Sequence, residues 1–313
     1  YRLADFPSNK INTWNGHFRD DIRKFWKQEK DSVWQLKDRL TGNRDLYKNK
    51  RAQLRSINFI TAHDGFTLND LVSFNIKHNY ANGEQNRDGE NHNNSWNSNV
   101  EGPSTDIDLI RLRERQQRNL LASLLLSPGI PMLLMGDEVG RSQGGNNNTW
   151  CQNNHLGWMI WHPETCDLEL QKFVKNLITI RQSLPELFNP NNLLNEASDI
   201  YQNDSNKFSI EWHGIKIKSP DWGHWSHTIS YSINDSSKDA VMWMGLNGYN
   251  KSMVFELPNP ISEWKQLLNT ANTNSNNLIS ISPSKTISQD TIELKSKSLI
   301  LLLSSQYASK IKL

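Results

Sequence analysis

The chain has 313 residues, 36% of them hydrophobic, and a formal net charge of +2, enough for one large domain or a medium domain with a smaller companion. Lys and Arg are scattered and the mean hydropathy is −0.70, so nothing favours nucleic acid or an anionic membrane surface, and no run approaches the roughly 18 apolar residues of a membrane span. Two cysteines, Cys151 and Cys166, make neither a disulfide framework nor a metal cluster and read as free thiols in a reducing compartment.

Residues 13–28 carry Phe18, Ile22, Phe25 and Trp26 at helical spacing, with Arg19, Asp20, Arg23 and Lys24 between them. The spacing predicts an amphipathic helix capped by Thr13 or Asn15. A second helical patch, 32–40, ends at Gly42-Asn43. Residues 57–61 read as a buried strand that stops abruptly in the polar pair His63–Asp64, followed by Gly65. A polar segment of little periodicity then runs from about 75 to 106. Its Trp, Tyr, His and Asn content favours an ordered binding loop.

Residues 107–127 form the clearest helix, stopped by Pro128-Gly129. The apolar run Pro131–Met135 follows, as expected of a strand covered on both faces, and ends in Gly136-Asp137-Glu138. A long polar loop with Trp150, Trp158 and Trp161 leads to a helix over 167–183. Strand–loop–helix units in a row predict a parallel β/α architecture. After about Pro190 the texture changes to short β-rich runs: 208–212, 228–233, 240–246, 252–257, 278–281, 291–294 and 298–303. These predict an antiparallel sandwich, with 304–313 frayed.

Residues at the carboxyl end of a parallel barrel strand point into the mouth where chemistry happens. His63 and Asp64 could there grip a sugar ring and stabilise positive charge developing on it, although a turn Asp and a buried histidine fit the same residues. Twelve tryptophans suggest stacking on sugar rings, but core filling explains a Trp equally well. Asp137-Glu138 ends a strand too and reads as a loop anchor. Glu84, Asn86, Asp88 and Gly89 fall at the first, third, fifth and sixth positions of a calcium loop, but Ser95 stands where a bidentate Glu is needed. No metal or cofactor is expected. Gly144-Gly-Asn-Asn-Asn148 lacks the Lys-Ser/Thr of a phosphate loop and reads as a rim loop whose amides meet sugar hydroxyls.

Several segments carry a resemblance in order: Trp14-Asn-Gly16, Phe18-Arg-Asp20, Ile57-Asn-Phe-Ile-Thr-Ala-His-Asp-Gly-Phe-Thr-Leu-Asn-Asp-Leu71, His78-Asn-Tyr-Ala-Asn-Gly-Glu84, Asp88-Gly-Glu-Asn-His92, Pro131-Met-Leu-Leu-Met-Gly-Asp-Glu138 and Gly144-Gly-Asn-Asn-Asn-Thr149. Together they resemble the isoamylase-type glycogen debranching enzymes of the α-amylase superfamily, glycoside hydrolase family 13. The likeness is dense to about residue 185 and thin afterwards. It implies that 1–190 are the C-terminal half of a (β/α)8 barrel, about units six to eight, and that 191–313 are the family's antiparallel β-sandwich domain.

It implies a retaining hydrolase of α-1,6 branch linkages in glycogen, amylopectin or limit dextrins, with Asp64 as the transition-state stabiliser and His63 in contact with the same sugar. That chemistry needs a nucleophile and an acid/base about 5 Å apart. The family's Arg-x-Asp nucleophile motif and its acid/base Glu find no match here, and Asp5, Asp20 and Asp21 are poor substitutes. The expectation is therefore an incomplete enzyme, inactive alone, with something upstream of Tyr1 removed. A non-catalytic glucan-binding or scaffold subunit is the alternative, and a separately encoded N-terminal half is a third reading. The resemblance places the protein in the cytoplasm, or in plastid stroma for a plant source.

Overall fold

The computed structural model describes residues 11–47, 53–194, 208–272 and 285–311. Its first part is built on three parallel strands, β1 (Thr13–Asn15), β2 (Ser56–Phe59) and β3 (Ile130–Met132), with β2 in the centre. The strand β1 escapes the sequence reading, which begins a helix there. Asn15 in fact ends the strand and caps α1 (Gly16–Lys27), its side chain accepting from the Phe18 amide at 3.0 Å. Phe18, Ile22, Phe25 and Trp26 are all buried on the inner face of α1.

Helix α2 (Ser32–Thr41) ends at Gly42, whose φ of +113° suits glycine. Short α3 (Leu68–Leu71) and long α4 (Ile107–Leu125) follow β2, and α5 (Leu168–Ser183) and α6 (Pro185–Phe188) follow β3. Asp106 caps α4 and Asp167 caps α5. The run 131–135 does not make a doubly covered strand: β3 stops at Met132 and Ile130 is 39% exposed. β3 is an outer strand among the described residues, and its pairing ends where β2 ends, Phe59 opposite Met132.

The second part comprises β4 (Leu193–Leu194), β5 (Phe208–His213), β6 (Thr228–Asn234), β7 (Ala240–Asn247), β8 (Met253–Glu256), β9 (Trp264–Asn269), β10 (Lys285–Ile287), β11 (Thr291–Leu294) and β12 (Ser298–Ser304). Seven of them form one sheet in the order β10-β9-β12-β7-β6-β5-β4, antiparallel except for β4 and β5, while β8 and β11 pair as a separate ribbon. Every residue of β6, β7 and β12 is buried. One face of the sheet joins the helices, and the other packs Trp243, Ile300 and Leu302 against Phe255 and Leu294 of the ribbon.

The strand β9 was not expected, and the expected strand 278–281 lies outside the described residues. The expected frayed tail is corrected. Ser304 ends β12, α7 (Ser305–Ala308) follows, and Ala308 and Ile311 are buried against the core.

One hydrophobic cluster runs through both parts, from Phe25, Leu120 and Leu177 to Ile229, Tyr231 and Leu301. Polar bonds lock the junction. Asn119 Nδ2, fully buried on α4, donates to the Lys297 carbonyl at 2.8 Å, and Lys297 Nζ donates to Gln28 Oε1 at 3.0 Å. Replacing Asn119 with Ala leaves that carbonyl unpartnered, a loss expected to be about 1–3 kcal/mol. Chemical denaturation should show this as a lowered midpoint within a single transition, and two well-separated transitions in the unsubstituted protein would contradict the shared core.

Candidate active site

Both flanks of the His63–Asp64 turn are pinned by buried ionisable side chains. On one side Arg23, 6% exposed on α1, donates through Nε to the Ile60 carbonyl at 2.9 Å and through NH1 to the Asn93 carbonyl at 2.7 Å. Burial lowers its pKa to about 9, which leaves it a cation at neutral pH. Asp137, 1% exposed beyond the end of β3, accepts from the Thr61 hydroxyl and, at 2.9 Å, from the Leu68 amide. Thr67 caps α3, and Asp70 beneath it accepts from the Ser142 hydroxyl at 2.6 Å and the Gln143 amide at 2.8 Å.

Between these anchors Gly65, at φ +144°, lets the chain reverse. His63 and Asp64 stand outward, their side chains 70% and 80% exposed and 3.3 Å apart at their nearest atoms. The His63 ring meets the edge of Trp14 on β1, with centroids 6.0 Å apart. This is an exposed pair on a rigid base.

Asp64 lines an open cavity of about 370 Å³ with Arg19, Gly89, Glu90, Asn91, Asn147 and Asn148. The Arg19 guanidinium is engaged by Asp20 through two bonds of 2.7 and 3.1 Å. The His92 amide holds the Glu90 carboxyl below its ordinary range. Such a group stays ionised and is unsuited to donate a proton. The lining is polar and rich in amides, and it matches a ligand that presents many hydroxyls.

A lattice of side-chain amides supports this wall. Asn79 and Asn147 bond reciprocally: Asn79 Nδ2 donates to Asn147 Oδ1 at 2.8 Å, and the Asn147 amide donates to Asn79 Oδ1 at 3.0 Å. Asn82 accepts from Asn146 and Gln152 and donates to Asp88 and the Asn148 carbonyl. The 75–106 loop is thus ordered and tied to the loop after β3.

The lattice narrows the rim-loop expectation: Asn147 and Asn148 line the cavity, but most of the segment's amides are already engaged. Asn146 and Asn147 are 1% exposed and bond to protein groups rather than standing free for hydroxyls. Asp137 is a buried anchor, and Glu138 accepts from the Gly136 amide. Trp26, Trp243 and Trp264 serve the core, whereas Trp150, Trp158 and Trp161 are exposed along the loop after β3.

Among the described residues no group of three or more His, Cys, Asp or Glu could hold a metal ion, and both cysteines are free thiols. No helix there is long and apolar enough to cross a membrane. Sequence reasoning assigned no role to Arg19, Glu90 and Asn91. The available signal was their place inside the matching segments 18–20 and 88–92.

Burial pushes the Asp137 carboxyl up to about 7, against an ordinary value of 3.8. The folded chain therefore keeps a proton that the unfolded chain releases between these values. The resulting stability is fully present below pH 4 and is lost as pH rises through 7, a swing on the order of 4 kcal/mol. In Asp137→Asn the amide oxygen can accept from Leu68 and the NH2 can reach the Thr61 hydroxyl, with no titration. The melting temperature of the variant relative to the parent should climb between pH 4 and 8, and a difference that stays flat across that range would reject the assignment.

Comparisons with known proteins bear on the family of the chain. No family model matches the chain. It is 44% identical over 227 residues to the "Glycogen operon protein GlgX homolog" of Mycobacterium tuberculosis H37Rv, covering 71% of this chain and 31% of that protein. It is 38% identical over 274 residues to "Isoamylase 1, chloroplastic" of Arabidopsis thaliana, covering 87% and 33%. A "Glycogen debranching enzyme" of Serratia proteamaculans is 48% identical over 188 residues, covering 60% and 28%. The chain thus spans about a third of the length of the curated relatives it matches. Among solved structures, a type I pullulanase from Bacillus subtilis complexed with maltose shares the fold with a TM-score of 0.63 at 18% identity, over 96% of this chain and 36% of that one. The ordered segments and these relatives together place the chain in the isoamylase-type debranching family of the α-amylase superfamily.

Proposed function

We propose that this chain is the C-terminal portion of a retaining hydrolase of α-1,6 branch linkages in glycogen or starch. In this reading Asp64 binds the distorted sugar and stabilises the oxocarbenium-like transition state, and His63 contacts the same ring. The observation that carries it is the exposed Asp64 carboxylate, held on a frame anchored at residues 60–61 and 67–70, at the edge of an amide-rich cavity. A carboxylate in that place has no packing role, because its side chain is 80% exposed.

Residues 1–190 belong in this reading to barrel units six to eight, and 191–313 to the C-terminal β domain. Retention requires two further carboxylates about 5 Å apart. Glu90 is a poor acid, since its own loop holds it ionised. The nucleophile and the acid/base are therefore assigned to a preceding segment. The substrate is branched α-glucan, and the compartment is the one where that polymer is stored, cytoplasm or plastid stroma.

In the complete protein, Asp64→Ala should lower kcat/KM on amylopectin by about 10²–10³, the range for loss of one transition-state stabilising group. A reducing-end assay reads this directly, and full activity in the variant would remove Asp64 from the mechanism. The 313-residue chain by itself should release no reducing ends. Turnover by it would refute the need for outside carboxylates, whereas binding of glucan that is indifferent to Asp64 would favour the scaffold alternative.

A further inference from the structure

The segment 84–90, which resembles a calcium loop in sequence, is built around an ammonium. Lys77 is 8% exposed, and its Nζ lies 2.7 Å from the Asp88 carbonyl, 3.3 Å from that of Gly89 and 3.4 Å from that of Arg87. Three consecutive carbonyls thus converge on a group with three N–H donors. These separations suit an ammonium, whereas calcium draws oxygens to 2.3–2.6 Å and needs six to eight of them.

Other bonds set the shape of the same turn. Asn86 accepts from the Asn79 amide at 2.8 Å and donates to the Lys77 carbonyl at 3.1 Å. Gly89, at φ +73°, is wedged where a Cβ would meet Asn147 Oδ1 at 2.2 Å and Asn79 Nδ2 at 2.6 Å. Beyond this turn Gly89, Glu90 and Asn91 face the Asp64 cavity. Lys77 therefore sits behind the wall and does not line the cavity.

We propose that Lys77 is a positioning residue: its ammonium is a covalently attached counterpart of a structural cation, and it fixes the 87–91 backbone so that the cavity beside Asp64 accepts a sugar ring. The consequence for substrate rests on the glucan reading above, whereas the consequence for the loop does not. Losing the charge removes the partner that the three carbonyls share, leaving that of Asp88 with Asn79 Nδ2 at 3.0 Å, and the wall loses its curvature. Substrate binding then suffers more than turnover, because Asp64 itself remains anchored by Arg23 and Asp137.

The test uses the complete protein with Lys77→Met, which keeps the bulk without the charge, and Lys77→Ala, which leaves room for propylammonium. Two quantities are read: amide hydrogen exchange over residues 84–92, and KM against kcat for a branched maltooligosaccharide. Both variants should exchange faster in that segment and show KM raised on the order of tenfold, the scale of lost outer-shell partners at cation sites, with kcat changed less. Millimolar propylammonium should restore protection and KM in Lys77→Ala and leave Lys77→Met unaltered.

Unchanged exchange in Lys77→Met, or failure of the amine to restore the alanine variant, overturns the proposal. If the alanine variant folds only when the amine is present, the proposal stands. If it fails to fold even then, the proposal falls. A parent protein that binds no maltooligosaccharide would sink the glucan reading instead, and the exchange data would still decide the role of Lys77.

Discussion

A guanidinium taken out of water must be matched by hydrogen bonds or it destabilises the fold by several kcal/mol. Arg23 is matched by backbone carbonyls alone: that of Ile60 at the end of β2 and that of Asn93 in the long loop. One side chain of α1 thereby fixes both the root of the His63–Asp64 turn and the loop that faces it. Asp137 acts on the far flank as a buried acceptor, through Thr61 and Leu68. If either were absent, the eight-residue path from Ile60 to Thr67 would be a surface loop with an arbitrary carboxylate. With both, an exposed group acquires the fixed position that side chains of a working site require.

Much of the fold is legible in the residues because it follows from periodicity and punctuation. The Phe18, Ile22, Phe25 and Trp26 stripe is α1, Pro128-Gly129 ends the segment of α4, and β11 occupies residues 291–294 as read. Errors fall where tertiary pairing overrides local pattern. β1 is three residues long and exists through its parallel pairing with β2, so Thr13–Asn15 looked like the lead-in to a helix. β9 mixes Lys265 and Gln266 with its apolar residues, and β12 beside it supplies the ladder. The fully buried β7 and β12 do not alternate, since helices cover one face and the β8–β11 ribbon covers the other.

The candidate site draws its exposed pair from the sequence reading, as a proposal, while its supports were illegible there. An apolar strand that breaks into His63–Asp64 announces itself, whereas Arg23 reads as one more polar residue between the apolar positions of a helix. Lys77 carries no signal of its own, and the Asn-rich segments read as a binding loop and a rim loop rather than as a lattice of mutually bonded amides. Whether an Asn faces water or a reciprocal partner 68 residues away depends on which loops meet, and composition carries no record of that. The calcium-like pattern at Glu84, Asn86, Asp88 and Gly89 falls on a turn whose carbonyls converge on one point. What differs is the centre, a lysine from outside the motif.

The charge layout around the cavity follows a consistent logic. A carboxylate that favours positive charge on a neighbouring sugar is weakened by any free cation nearby, because the two compete for the same field. Arg19, which lines the cavity, is engaged through both bonds to Asp20. The Lys77 ammonium is turned to the rear of the 87–89 carbonyls and presents their backbone, not its charge, toward Asp64. The rest of the wall consists of neutral amides held by one another, with Asn147 joining Asn79, Asn93 and Glu90 at once. The rigidity needed to hold a polar ligand is thereby obtained from dipoles and hidden ions, and the exposed anionic field of Asp64 is left without a nearby free cation among the cavity's described lining residues.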